Sequence, residues 1–84
     1  MKTHEEAQKK VEAAKKREQA ARLRTLAASQ QDMAAAAIRQ SRKPIYPGQA
    51  GICTGNAARV EGEASLNIAA AARLEAEADA LEIE

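Results

Sequence analysis

The chain is short of the residues that usually build a large hydrophobic core. Its 84 residues include no tryptophan, no phenylalanine, one tyrosine and one cysteine. Apolar side chains larger than alanine number only 14 after Met1, whereas alanine supplies 22 residues. Burying one large apolar side chain contributes about 1.5–3 kcal/mol, and ordering one residue costs about 1.5 kcal/mol. We therefore expect an isolated copy to be poorly stable and neighbouring chains to supply further burial.

Cysteine and long apolar runs are also scarce. The single cysteine excludes an intrachain disulfide and any zinc site with several cysteine ligands. No apolar run approaches the ~20 residues that cross a membrane. The first ten residues lack the apolar stretch of a secretory signal. We expect a protein that is not secreted and that acts in the cytoplasm or inside a particle.

The sequence holds no combination of side chains that is typical of catalysis or metal binding. His4 has no histidine or cysteine at ligand spacing, and Cys53 has no nearby base to make it a thiolate. The Gly-Lys-Ser/Thr ending of a phosphate-binding loop is absent. We expect no enzyme activity, no catalytic residue, no cofactor and no metal.

The segment from residue 4 to residue 41 contains neither glycine nor proline and predicts a long first helix. Thr3 and Glu6 match a capping box at its start, and Pro44 stops it. Four glutamates precede a lysine or arginine by four residues, which is the stabilising order in a helix. These glutamates are Glu5, Glu6, Glu12 and Glu18.

A second helix is predicted from about residue 57 to residue 82, with Asn56 as its N-cap and Thr54 as the alternative cap. Its apolar residues follow a seven-residue repeat, which favours left-handed packing of the coiled-coil type. Asn67 lies in this repeat and needs a polar partner, and such residues often fix register. The seam consists of Ala57, Val60, Ala64, Asn67, Ala71, Leu74, Ala78 and Leu81. The first helix has two comparable alanine rows, at 7, 14, 21, 28, 35 and at 13, 20, 27, 34.

The two helices carry opposite charge. Residues 1–43 have a net charge of +6 and residues 57–84 a net charge of −5. Antiparallel pairing brings the basic segment 15–24 to the acidic segment 75–84, where the cations offset acids at the wrong end of a helix dipole. The sequence therefore predicts one all-α domain over residues 1–84, an alanine-rich, coiled-coil-like hairpin of two antiparallel helices. The longer first helix should project beyond it by about 12 residues, or ~18 Å.

The predicted connection, residues 42–55, differs in composition from both helices. It holds both prolines, three of the four glycines, the tyrosine and the cysteine. Tyr46–Gln49 fits a type II turn, and the apolar pairs around it allow a small β-hairpin as an alternative to a plain loop. We expect this tip to dock against another chain, although capping of the hairpin's own core is the alternative. The docking candidates are Ile45, Tyr46, Pro47, Ile52 and Cys53.

A basic stripe on the first helix supports a second hypothesis, contact with nucleic-acid phosphates. The stripe consists of Lys2, Lys9, Lys10, Lys16, Arg17 and Arg24. No aromatic residue lies in either predicted helix to stack on bases. The leading hypothesis is a non-enzymatic structural subunit or connector within a homo-oligomer or a larger hetero-assembly. A viral particle is one such assembly, although no motif points to it. The alternative is a nucleic-acid-associated protein.

Overall fold

The computed structural model describes the backbone from Lys2 to Ile83 and the side chains from His4 to Ile83. Helix α1 spans Lys2–Ser41 and helix α2 spans Gln49–Ile83, and no strand occurs between Lys2 and Ile83. The two helices pack side by side into a rod of 68 × 13 × 11 Å. The radius of gyration, 19.2 Å, far exceeds the ~12 Å of a compact chain of this length. The predicted all-helical hairpin is confirmed.

Small residues at seven-residue spacing form the contact between the helices. The buried residues of α1 are Ala13, Ala20, Ala27 and Ala34. Those of α2 are Cys53, Ala57, Val60, Ala64, Ala71 and Ala78. The other alanine row of α1, at 7, 14, 21, 28 and 35, is exposed. Among the described side chains none of large volume is fully buried, so the core is narrow and built mainly from methyl groups.

The apolar contact is densest near the connection between the helices. Val60 packs there with Ala34 and Ala57, and Ala37 and Ile38 lie against this cluster. The remaining seam residues of α2, Asn67, Leu74 and Leu81, are only half-buried. A rod of two helices leaves one side of these three side chains open, because no third element of the described chain covers it.

The start of the second helix differs from the prediction. Helix α2 begins at Gln49, so Thr54 and Asn56 lie inside it and neither caps it. The Thr54 hydroxyl donates to the carbonyls of Ala50 and Gly51 at 3.0 and 3.1 Å, an interaction within the helix rather than at its end. The residue that accepts the first helical bond is Gly48, whose carbonyl receives the Ile52 N–H at 3.2 Å.

Seam packing explains why the helix continues through Gly51 and Gly55. Each glycine weakens a helix by only about 1 kcal/mol relative to alanine. Cys53, seven residues before Val60, extends the buried row toward the connection and is 8% exposed. The predicted β-hairpin is therefore wrong, because Ile52 and Cys53 are helical. The connection shortens from the predicted 42–55 to residues 42–48.

Helix α1 begins at Lys2, slightly before the predicted residue 4, and ends at Ser41 as predicted. The proposed capping box lies outside the described side chains, because that of Thr3 is among those not described. Arg17 pairs with Asp79 and Lys16 pairs with Glu77, which sets the end of α2 beside about residue 13 of α1. The first eleven residues of α1 therefore extend past α2 by about 16 Å, close to the projection expected from the sequence.

Candidate protein interface

The connection between the helices is a turn held by its own hydrogen bonds. The Gln49 N–H donates to the Tyr46 carbonyl at 3.2 Å, and Gly48 has a φ of 87°. Both features match the type II turn predicted for Tyr46–Gln49, whose third residue requires positive φ. The Gln49 side chain adds a second restraint, because its Oε1 accepts the backbone N–H groups of Ile45 and Tyr46. The tip therefore has a defined shape.

This turn presents apolar side chains to solvent. Ile45 is 89% exposed, Ile52 is 55% exposed and Tyr46 is 52% exposed. Pro47 lies between them and is exposed as well. Cys53, the fifth docking candidate, is buried at the contact between the helices and does not face outward. The exposed surface of the tip is therefore formed by Ile45, Tyr46, Pro47 and Ile52.

Three cations precede the apolar tip in the chain. Arg39 lies in the last turn of α1, and Arg42 and Lys43 follow it in the connection. None of the three has a carboxylate partner among residues 4–83. The sequence explains this, because no aspartate or glutamate occurs between Asp32 and Glu61. Arg39, Lys43 and Ile45 line a shallow cleft of about 430 Å³ at this end.

Half of the basic stripe of α1 faces the acids of α2. Lys16 lies 3.2 Å from Glu77. Arg17 contacts both carboxylate oxygens of Glu82 and, through Nη2, lies 3.0 Å from Asp79. The stripe members Lys9 and Lys10 lie near the end of α2, and the side chain of Lys2 is outside the described residues.

Arg24 completes the charged side of the hairpin. Its Nε donates to Glu75 at 3.0 Å and its Nη2 donates to the other carboxylate oxygen. Arg22 also belongs to the basic segment 15–24 that was predicted to face α2, but the structure pairs it with Glu18 on its own helix at 2.6 Å. The predicted antiparallel charge pairing is thus present through Lys16, Arg17 and Arg24.

These ion pairs shift the pKa values of the residues that form them. The two hydrogen bonds from Arg24 lower the pKa of Glu75, and those from Arg17 lower the pKa of Glu82. Arg17 in turn has its pKa raised, first by Glu82 and then by Asp79. All of these groups are exposed to solvent, so salt screens the pairs and each contributes little on its own. Their main effect is to fix which faces of the helices meet.

A polar network crosses the apolar seam near its centre. Asn67 Nδ2 donates to Gln30 Oε1 at 2.9 Å, and Gln30 Nε2 donates to Glu63 at 3.3 Å. Asn67 therefore has the polar partner that its seam position demands. The sequence did not identify Gln30 as that partner, since a glutamine in a long charged helix carries no signal of its own.

The end of the rod opposite the tip forms a step, where α1 continues beyond α2. A cleft of about 440 Å³ lies at this step, and its lining residues are Glu6, Lys9, Lys10, Leu81 and Glu82. Ile83, the last described residue, is 84% exposed. The final turn of α2 contains no basic residue, so its own side chains do not offset the negative end of the helix dipole.

Further apolar side chains lie along one flank of the rod. Leu26 and Met33 flank Gln30 on α1 at the spacing of successive helical turns, and Leu66 lies one turn from Glu63 on α2. Because Gln30 bonds Glu63, these three exposed residues share that flank. The opposite flank carries the pairs of Arg17 and Arg24 with acids of α2.

Between Lys2 and Ile83, no cluster of three or more histidine, cysteine, aspartate or glutamate residues is arranged to hold a metal. Neither described helix is long and apolar enough to cross a membrane. Comparisons with family models, curated proteins and solved structures give no match to this chain.

Sequence reasoning missed the tip cations as a group. Arg39, Arg42 and Lys43 are close in sequence, and a charge-balance scan would have found them through the absence of acids from 33 to 60. It also missed Gln49 as the residue that fastens the turn. That role depends on the backbone path of Ile45 and Tyr46, which local composition does not specify.

Proposed function

We propose that this protein is a non-enzymatic structural subunit or connector that packs within a larger homo-oligomer or hetero-assembly. In this proposal it works as an alanine-rich, coiled-coil-like hairpin whose proline- and glycine-containing connection forms a docking tip. Its place of action is the cytoplasm or the interior of a particle.

The observation that carries the proposal is the imbalance between buried and exposed apolar residues. The buried set contains one valine and no leucine, isoleucine or methionine, while eight larger apolar residues are exposed. The accessible surface of the chain is 6211 Å², whereas a compact monomer of 8.9 kDa exposes about 4,800 Å². The difference exceeds the ~800 Å² that one partner buries in a standard interface.

The tip gives a second, separate argument for the same proposal. Its shape is fixed by the turn hydrogen bond and by the Gln49 side chain, so little conformational entropy is lost when it docks. Tyr46 offers a large apolar face and a hydroxyl, a combination that is enriched at interface hot spots. The alanine seam, by contrast, repeats along the rod and discriminates poorly between partners.

Native mass measurement tests the proposal. The purified chain is expected to give masses of two or more times 8.9 kDa. Otherwise it should form a complex of defined stoichiometry only when a partner chain is present. A stable monomer whose unfolding does not depend on concentration contradicts it.

The nucleic-acid alternative has weaker support. Lys16, Arg17 and Arg24 of the basic stripe contact acids of α2, so phosphate binding would have to compete with these pairs. The cations at the tip are available, but three charges give modest affinity. A salt series separates the two functions, because phosphate binding weakens steeply with salt and apolar packing does not.

A further inference from the structure

The two ends of the rod carry the most exposed large apolar side chains of the described chain. Ile45 at the tip is 89% exposed and Ile83 at the opposite end is 84% exposed. Between them lies a rod 68 Å long, so no single copy brings these residues together. An assembly of copies placed end to end does so.

The charges of the two ends are complementary. Segment 33–58 contains Arg39, Arg42 and Lys43 and no acid. At the other end, segments 4–17 and 75–83 together hold seven acids and five bases, and Arg24 pairs with Glu75 of this set, which leaves an excess of one negative charge. The last turn of α2 contributes no base, and its dipole adds negative potential. Opposite potentials at the two ends steer one copy onto the next.

The shape of the acidic end suits the tip. The projecting part of α1 forms one wall of the step and the end of α2 forms its floor. The cleft there is lined by Leu81 and by the carboxylates of Glu6 and Glu82, together with Lys9 and Lys10. An apolar turn flanked by cations can place Ile45 against Leu81 and Ile83, with Arg42 and Lys43 toward Glu6 and Glu82.

We infer that the tip of one copy docks into the step at the acidic end of the next copy. The inference rests on the proposed assembly function and names the partner of its tip. The contact is head-to-tail, so it leaves a free tip and a free step on every complex and grows open chains unless a ring closes. The net charge of +1 gives little repulsion between copies.

Geometry gives the inference a measurable length. A docked tip overlaps the ~16 Å projection of α1, so two joined copies of a 68 Å rod span about 120 Å. Two copies packed side by side along the flank of Leu26 and Met33 stay near the length of one rod. Small-angle scattering distinguishes these dimers.

Two variants that each block one end test the inference. The first, Arg42→Glu with Lys43→Glu, reverses the charge of the tip at these two positions. The second, Glu6→Lys with Ile83→Ser, blocks the step. None of the four substituted residues belongs to the ion pairs described above. A control, Arg59→Glu with Arg73→Glu, makes the same charge change as the first variant along the middle of α2 and removes only the exposed Arg59–Glu63 pair within that helix.

We expect the wild-type chain and the control to form oligomers whose size grows with concentration in sedimentation equilibrium. Each end-blocked variant alone should have an apparent dissociation constant raised at least about tenfold. An equimolar mixture should form dimers about 120 Å long and nothing larger, because it retains one working tip and one working step.

Other outcomes overturn the inference in distinguishable ways. If both variants associate like the wild type, at side-by-side length, the flank is the interface and the assembly function still stands. If the mixture stays monomeric while the wild type associates, the contact is not head-to-tail. If the wild type is a monomer at every concentration but poorly folded, the tip serves a chemically different partner. A well-folded monomer contradicts the assembly function itself.

Discussion

Asn67 of α2 donates a hydrogen bond to Gln30 of α1, with 2.9 Å between Nδ2 and Oε1, at the only asparagine of the α2 seam. Residues on either side of it in the seam are apolar, so a displaced Asn67 would face methyl groups and lose its partner. Burying an amide without a partner costs about 1–3 kcal/mol, and the half-buried Asn67 would lose part of this. The pair therefore favours one alignment of two otherwise repetitive helices, together with the short connection.

A double-mutant cycle measures this relationship. Asn67→Ala and Gln30→Ala should each lower the free energy of unfolding, and the double variant should lose less than the sum by about 1 kcal/mol. Gln31→Ala, at an exposed neighbouring position, should show no coupling to Asn67→Ala. Additive losses for the Asn67 and Gln30 variants would mean that the hydrogen bond has no role in alignment.

Acidification should weaken the hairpin through Glu75 and Glu82. Their pKa values lie below the ordinary value because Arg24 and Arg17 bind the ionised forms. The stabilisation is therefore complete above the unfolded pKa of about 4.3 and is lost as the pH falls through the lower, folded pKa values. Thermal unfolding midpoints should be measured from neutral to acid pH at fixed chain concentration. They should decrease as the pH passes through that window.

The variant Arg24→Gln serves as the control for this pH dependence. It should return the pKa of Glu75 toward its ordinary value, as followed by NMR of the side-chain carboxyl, and reduce the acid sensitivity of the midpoint. An unchanged Glu75 titration in this variant would show that the ion pair does not form in solution.

Two glycine substitutions should have opposite effects. A methyl group at Gly62 meets no atom within 4 Å, so Gly62→Ala should raise the free energy of unfolding by about 1 kcal/mol. Gly48 has a φ of 87°, which strains any other residue. Gly48→Ala should therefore lower the free energy of unfolding by about 1 kcal/mol. Thermal melts followed by circular dichroism compare the two variants. A stability change of the same sign and size in both would contradict the turn geometry.

Tyr46 and Ile52 should matter for assembly more than for folding. Both are about half exposed in the single hairpin, so Tyr46→Ser with Ile52→Ser should leave helicity nearly intact. The same variant should weaken association by at least about 2 kcal/mol, measured by sedimentation equilibrium. The control, Leu26→Ser with Leu66→Ser, removes two exposed apolar residues away from both ends of the rod. Equal weakening in both variants would remove the special role of the tip.

The hairpin was predictable because its determinants repeat along the sequence. The net charges of the two halves and the alanines at seven-residue spacing are each properties of many residues, so a single exception does not change the prediction. In agreement with the opposite net charges, Lys16, Arg17 and Arg24 pair with acids of α2. Local signals were less reliable. Gly51 and Gly55 indicate a loop by composition, but packing of Cys53 in the seam continues the helix through them.

The candidate site was predictable only in part. Ile45 and Tyr46 stood out because apolar and turn-forming residues are concentrated around them, and both are exposed at the tip. The sequence predicted that α1 projects beyond α2, because the first predicted helix is the longer one. It did not identify the residues that line the cleft at this step, because they depend on the register that pairs such as Arg17–Asp79 and Asn67–Gln30 fix.

The central claim is that the hairpin needs neighbouring chains to complete its burial. Circular dichroism melts across a hundredfold dilution, about two decades in chain concentration, test it most directly, because association makes the unfolding midpoint depend on concentration. The claim predicts that the midpoint and the helical signal both fall on dilution. A cooperative transition at the same temperature throughout, with a monomeric mass, would contradict it.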